Sequence, residues 1–408
     1  MSKKQTDIII SGAGAAGLTL AVLLAKAGLS VALIEPADRD FLNDDSMSGR
    51  SVALMNGSIN ILKAAGVWDT LEPLSNPLKT MTLMDVSREG VDPVVEPFEA
   101  CDIGEEQYGF NIPNNALRAA LFKAAEANEN ITLYLGHALT DYLTDGAFVD
   151  VTMNNEAEIK GRILIGADGR SSKVRELAGI ECDIKHYEQS AVTCVINHSK
   201  AHNDTSTEFH RPHGPLALVP LRGNQSCIVW VNETTRAAEI MVMEPAAFEQ
   251  ALQEESHDVL GAVTLASEPQ CWPLSSLRAK CLTAPRVAIM AEAAHVMSPI
   301  TAQGLNLSLR DVAALAEEIV DAARVGADIG GGVVLSAYEK RRKLDVDSRV
   351  FGVDRMMRVV SNDIEAVKGL RHAGLKALGG VPPLKRFAMR VGLAPAVDAG
   401  RLSRGEVL

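Results

Sequence analysis

The sequence predicts an α/β protein: a Rossmann-like nucleotide-binding domain with an inserted, mainly antiparallel β-sheet domain and a C-terminal helical segment. Three observations carry this. Residues 7–35, DIIISGAGAAGLTLAVLLAKAGLSVALIE, set out strand, glycine turn, helix, strand and terminal acid in one unit. Two further apolar strands that run into turns, RILIGADG and RVAIM, recur far downstream. Between them the chain alternates apolar and polar residues under Pro and Gly punctuation, as short antiparallel strands do.

In the first unit, Gly12 permits the tight turn, Gly14 lets a pyrophosphate approach the backbone, and Gly17 brings helix and strand together. Ala15 and Ala16 lie inside the same fingerprint and open a helix over 15–27, whose N-terminal amides suit phosphate. Glu35, at the end of the second strand, is placed for a ribose hydroxyl pair. A polar stretch, 38–49, follows, and then RSVALMNGSINILKAAGVWDTL, whose apolar spacing fits a helix ending near Gly66. Residues 80–101 alternate around a Glu89-Gly90 turn and begin a sheet in another domain. A helix is expected over 114–128 with Leu117, Leu121 and Phe122 on one side, then strands near 132–134 and 147–153. The strand RILIG turns at Asp168-Gly169; residues 183–281 read as further strands with a helix at 246–254. The strand RVAIM then leads through a loop into a long helix over 304–324. The nucleotide domain is accordingly 1–79, 102–182 and 283–363, the inserted sheet domain 80–101 and 183–282, and the helical segment 364–408.

Two more motifs carry chemistry. GADGRSSKVRELAGI places Asp168 at the carboxyl end of a buried strand, where α/β folds gather ligands; taken alone, the same acid reads as the cap of a turn. In RVAIMAEAAHVMSPITAQGLNLSLRDVAALAE a strand delivers Glu292, Pro299 breaks the chain, and Gln303, Gly304, Leu305 and Asn306 open a helix whose positive end can face a negative ring or phosphate. Leu305, Leu307, Leu309 and Ala313 also form a packing stripe. His295 reads as a structural histidine, and no catalytic acid or base is assigned.

A formal charge of −12 argues against nucleic acid, which requires a basic surface. The six cysteines lack a CxxC pair and suit reduced thiols; no zinc site is expected, and His210 with His213 lacks partners for a metal. With the fingerprint opening at residue 12 and no apolar run of membrane-spanning length, a cytoplasmic protein is expected. Phe209, Leu218, Val219, Pro220 and Trp230 are candidates for a substrate wall, although alternating apolar strand residues are mostly core. Residues 364–397 mix Lys368, Arg371, Lys376, Lys385, Arg386 and Arg390 with Leu370, Leu375, Leu378, Phe387 and Met389. That mixture suits either packing on the protein's own surface with a solvated basic face, or peripheral contact with an anionic membrane.

The three motifs, in this order, resemble the class A FAD-dependent aromatic hydroxylases, the fold of para-hydroxybenzoate hydroxylase. Arg50 in GRSVAL, the helix NNALRAALFKAAE, AAH with Pro299, QGLNLSLRD and the tail blocks SNDIEAVKGLRHAGL and PPLKRFAMRVGLAP resemble the ubiquinone-biosynthesis hydroxylases more narrowly. The resemblance implies that Glu35 holds the adenosine ribose of FAD, that Arg50 contacts its pyrophosphate region, and that Asp168 sits where flavin and pyridine nucleotide meet. It further implies that Gly304 through Asn306 offer amides to the flavin's pyrimidine edge. Asn114 stands where the family often has Arg or Gln, Ala291-Glu292 where it has Gly-Asp, and Thr301 and Ser308 where glycines are frequent. The implied reaction is ring hydroxylation of a polyprenylated phenol, through flavin reduction by transient NADPH or NADH and a flavin hydroperoxide. Implied partners are a lipophilic phenolic substrate, a ubiquinone-biosynthesis complex and a homodimer, with peripheral placement on the inner membrane face. Hydroxylation of another aromatic compound, or a non-catalytic flavoprotein scaffold, are the alternatives.

Overall fold

The computed structural model describes residues 4–46, 49–88, 90–298, 303–360, 365–393 and 399–408. Ile8–Ser11 is wholly buried and pairs in parallel with Val31–Glu35 on one side and Ile163–Gly166 on the other. Val287–Ile289 and Ile131–Leu135 extend the two sides, and Thr283–Ala284 closes one edge antiparallel. Buried parallel strands need no polar alternate face, which is why IIIS and ILIG read as continuous apolar runs. The helix Ala15–Lys26 packs on this sheet with the helices Asn114–Glu126 and Gly304–Arg324, forming the largest apolar core.

A nine-stranded sheet forms the second layer among the described residues. Its order runs His295–Val296, Gln270–Ala279, Cys182–His198, Gln225–Glu233, Leu216–Leu221, Thr205–His210, Thr80–Asp85 and Val94–Glu99, with Val263–Leu265 also pairing on Cys182–His198. All these pairings are antiparallel except that of Thr80–Asp85 with Thr205–His210, which is parallel. The turn near Glu89-Gly90 joins two paired strands as the alternation predicts, although Glu89 itself lies outside the described residues.

The stretch 50–66 departs from expectation. Ser51–Met55 is a strand paired with Gly109–Pro113, and only Asn56–Ala65 is helical, ending at the left-handed Gly66. No breaker separates the two, because the helix starts at Met55 without a side-chain cap. The C-terminal segment is helical over Glu365–Gly380 and Pro382–Leu393, as expected. These helices lie on the sheet layer, where Leu375 and Met389 are buried with Val94, Phe98 and Tyr108, and Arg371 reaches the fully buried Asp85 at 3.4 Å.

Candidate active site

The glycines of the first turn divide by what surrounds them. A methyl group on Gly12 (φ +106°) would lie 2.3 Å from the Ala167 carbonyl oxygen, and one on Gly17 would lie 2.0 Å from the Gly12 carbonyl oxygen. Both are glycines because the protein's own backbone fills the space, and this close approach fuses the first turn to GADG. Gly14 differs: its backbone is ordinary (φ −67°, ψ 172°) and a methyl there would meet nothing within 4 Å. At Gly304, the head of the helix Gly304–Arg324, a methyl likewise meets nothing within 4 Å among the described residues. Two helix N-termini thus carry glycines that the protein's own packing does not require, as an anionic ligand pressed against amides would require.

The side chains around these helix heads are already engaged. Glu35 accepts hydrogen bonds from the amides of Ala13 (2.6 Å) and Ala37 (2.9 Å), so it braces the turn from below. Asp168 accepts from the Ser172 hydroxyl and from the amides of Lys173 (2.9 Å) and Val174 (3.1 Å), and so caps the short helix that follows. The Asn114 amide donates to the Arg50 carbonyl at 3.1 Å, which sets the head of its helix beside the strand after Arg50. The exposed Arg50 guanidinium lies 4.7 Å over the Trp272 ring, within the field of Glu292 and Arg170. Glu292, one residue after the left-handed Ala291 (φ +56°), is exposed and bonded by Arg170 at 3.3 and 3.4 Å. Pro299 and Thr301 lie outside the described residues.

At the second helix head, the first intrahelical bond among the described residues runs from the Leu307 amide to the Gln303 carbonyl. The Asn306 side chain does a different job. Its carbonyl accepts from the Met55 amide (2.9 Å) and the Ser58 hydroxyl (2.7 Å), while its amide group donates to the Ala53 carbonyl (2.8 Å). It therefore bolts the helix head to the strand that follows Arg50. The sequence reading missed this role, as it missed the ion network one turn further on. There Asp311, fully buried, accepts from His295 (2.6 Å), Arg342 (2.7 Å) and the Ala291 amide (3.0 Å), and Arg342 continues to Asp345 at 2.8 Å. Burial alone would raise the Asp311 pKa, but the opposing charges of His295 and Arg342 win and hold it at about 2. The signal available in sequence was an acid set within an otherwise apolar helix face.

The large sheet has two unlike faces. On the outer face Phe209, Leu218, Ile228 and Trp230 are sealed beneath the helices Thr234–Met241 and Pro245–Glu255. Phe209, Leu218 and Trp230 are therefore core, a correction to the candidate wall that follows from strand alternation, which separates two faces without saying which is inner. On the inner face Leu83, Glu208, Ala217, Val219 and Val229 remain half-buried in mid-sheet. Met297, from the loop before the long helix, packs against this face at the cluster of Ala191, Val231 and Leu274, and the C-terminal helices close its far end.

A family model described as an FAD binding domain matches residues 5–350. The ubiquinone hydroxylase UbiL of Rhodospirillum rubrum is 32% identical over 387 residues, covering 95% of this chain and 89% of that protein. The 3-demethoxyubiquinol 3-hydroxylase of Escherichia coli is 29% identical, covering 96% of this chain and all of that protein. Among solved structures, the fold superposes on the probable FAD-dependent monooxygenase pqsL of Pseudomonas aeruginosa with a TM-score of 0.77 at 21% identity, covering 92% of this chain and 100% of that one.

Proposed function

Because this chain belongs to the FAD binding domain family of class A flavin monooxygenases, we propose that it hydroxylates the aromatic ring of a polyprenylated phenol, a ubiquinone precursor, using FAD, NAD(P)H and oxygen. The residues fit the cofactor. Gly14 leaves its helix head clear for an anionic group, as Gly304 does among the described residues, and the first of these observations carries the reading. Bound FAD supplies the electron and oxygen chemistry. The chain's part is to orient and to exclude water. The amides after Gly14 hold pyrophosphate, and the head of the helix Gly304–Arg324 stabilises negative charge on the flavin's pyrimidine side by its dipole. Arg50 and Arg170 present cationic groups at the mouth. Segments 1–79, 102–182 and 283–363 form the cofactor unit, and the inner face of the large sheet forms the substrate wall.

The C-terminal helices support peripheral contact with an anionic lipid surface. Leu375 and Met389 are turned inward, whereas Leu370 is 74% and Phe387 66% exposed, beside exposed Lys376, Arg386 and Arg390. No helix among the described residues is long and apolar enough to cross a membrane.

The test is direct. The purified protein should show an oxidised-flavin spectrum, consume NADPH or NADH faster when 2-geranylphenol is present, and release a ring-hydroxylated product that incorporates oxygen from O2. Hydroxylation of soluble phenols but no prenylated one would redirect the substrate class. Flavin that neither nicotinamide reduces would leave a scaffold role.

A further inference from the structure

The half-buried centre of the inner sheet face carries a polar pair that the cofactor site does not use. Glu208 and His210 flank Phe209 on the strand Thr205–His210, and because Phe209 points into the outer core, both point to the inner face. In register, Glu208 stands between Leu83 and Ala217, and Ala217 stands beside Val229, which, like Met297, packs against the cluster of Ala191, Val231 and Leu274. Ala217 is the smallest side chain of that row. His210 is 5% exposed, and its Nε2 lies 3.2 Å from a carboxylate oxygen of Glu208. A carboxylate only accepts, so Nε2 carries the proton, and in the neutral ring Nδ1 is then the bare acceptor. That Nδ1 is buried without a partner, as is the Thr193 hydroxyl on the same face. An unpaired buried acceptor is costly and asks for a donor.

We propose that the Glu208–His210 pair takes the phenolic proton of the substrate over Ala217, with His210 as acceptor and Glu208 as the group that orients it; this rests on the hydroxylase reading above. The phenol O–H bond breaks, an N–H bond forms at Nδ1, and the electron pair stays on the phenolate oxygen, where it enriches the ring carbon that takes up the oxygen atom. Glu208 then faces an imidazolium. When the hydroxylated carbon loses its hydrogen to water, the dienone oxygen recovers the proton from His210 and the ring is aromatic again. Other charged groups surround this end of the sheet. Asp85 is the register partner of His210, Glu96 lies on the next strand, and Lys368, Arg371 and His372 come from the helix packed above. Asp85 is already engaged by the Ser87 hydroxyl and Arg371, which leaves Glu208 as the carboxylate bonded to His210.

The experiment uses the full-length, FAD-loaded protein and 4-nitro-2-prenylphenol, whose ionisation is visible, titrated with pH in the bound state without turnover. The wild-type protein should ionise the bound probe at lower pH than free solution does. His210→Gln and Glu208→Gln should each abolish that shift and lower 2-geranylphenol hydroxylation about 10²-fold or more. Both should leave the spectrum of the bound flavin unchanged, which shows that the variants are folded and loaded. If His210→Gln fails to fold, Glu208→Gln carries the test alone. Variants that ionise the bound probe as the wild type does, or a wild-type protein that shows no shift while hydroxylating normally, overturn the proposal. Absence of hydroxylation with the shift intact would instead count against the prenylphenol reading, so the two failures are distinguishable.

Discussion

Gly14 and its neighbours differ in why they are glycines, and a single methyl series separates the reasons. At Gly14 a methyl meets no described protein atom, so Gly14→Ala should fold with a melting temperature close to that of wild type yet bind FAD at least about tenfold more weakly, near 1.4 kcal/mol. Flavin fluorescence titration beside a thermal melt checks both halves; equal affinity would detach Gly14 from the cofactor. By contrast, a methyl at Gly17 collides with the Gly12 carbonyl and should cost folded protein instead. At this scale the sequence was legible where a residue type has one physical use, as with the glycine turn. It was ambiguous where one residue type serves two ends. Asp168 could be read from sequence as the cap of its own turn, as it proves to be, but that Glu35 braces the amides of Ala13 and Ala37 follows only from the turn around it.

The helix Gly304–Arg324 is held at its head by polar side chains buried on both flanks, and its stability is correspondingly sensitive to charge. Asp311→Asn leaves His295 and Arg342 facing a neutral group and should destabilise the protein by about 3–5 kcal/mol, measurable by denaturant unfolding at neutral pH. The sign with pH follows from the depressed pKa. The contribution of Asp311 is fully present above its unfolded value of 3.8 and fades as pH falls toward about 2, so the gap between the variant and wild type should narrow in acid. A gap between them that stays constant down to pH 2 would show that the charge is not what holds the helix. Both ends of this helix were readable from Pro299, Gly304 and the apolar stripe. The strand Ser51–Met55 was not, because it runs into its helix without a turn and its alternation is only five residues long. Nor could alternation decide which strand face was inner, since that is fixed by what each face meets.

Across the whole molecule, the discontinuous motifs were legible because each ends a buried strand of the same sheet, and buried parallel strands leave an unmistakable apolar run. How the C-terminal helices dock was not, because it depends on Arg371 meeting Asp85, 286 residues away, and on which apolar residues happen to turn inward. The outward set makes a prediction. The double variant Leu370→Ser and Phe387→Ser should keep FAD and solubility but lose most flotation with vesicles containing phosphatidylglycerol, and flotation equal to wild type would rule out this face.

The one parallel pairing in the large sheet among the described residues bears on how the chain comes off the ribosome. Residues 80–85 hydrogen-bond to residues 205–210, so the early hairpin emerges 125 residues before its neighbour exists. At a synthesis rate of about 5–20 residues per second, that bare strand edge waits on the order of 6–25 s. Nascent chains of this protein must therefore shelter an unfinished sheet margin, and the interval before residue 210 appears is when misassembly with another copy has its opening.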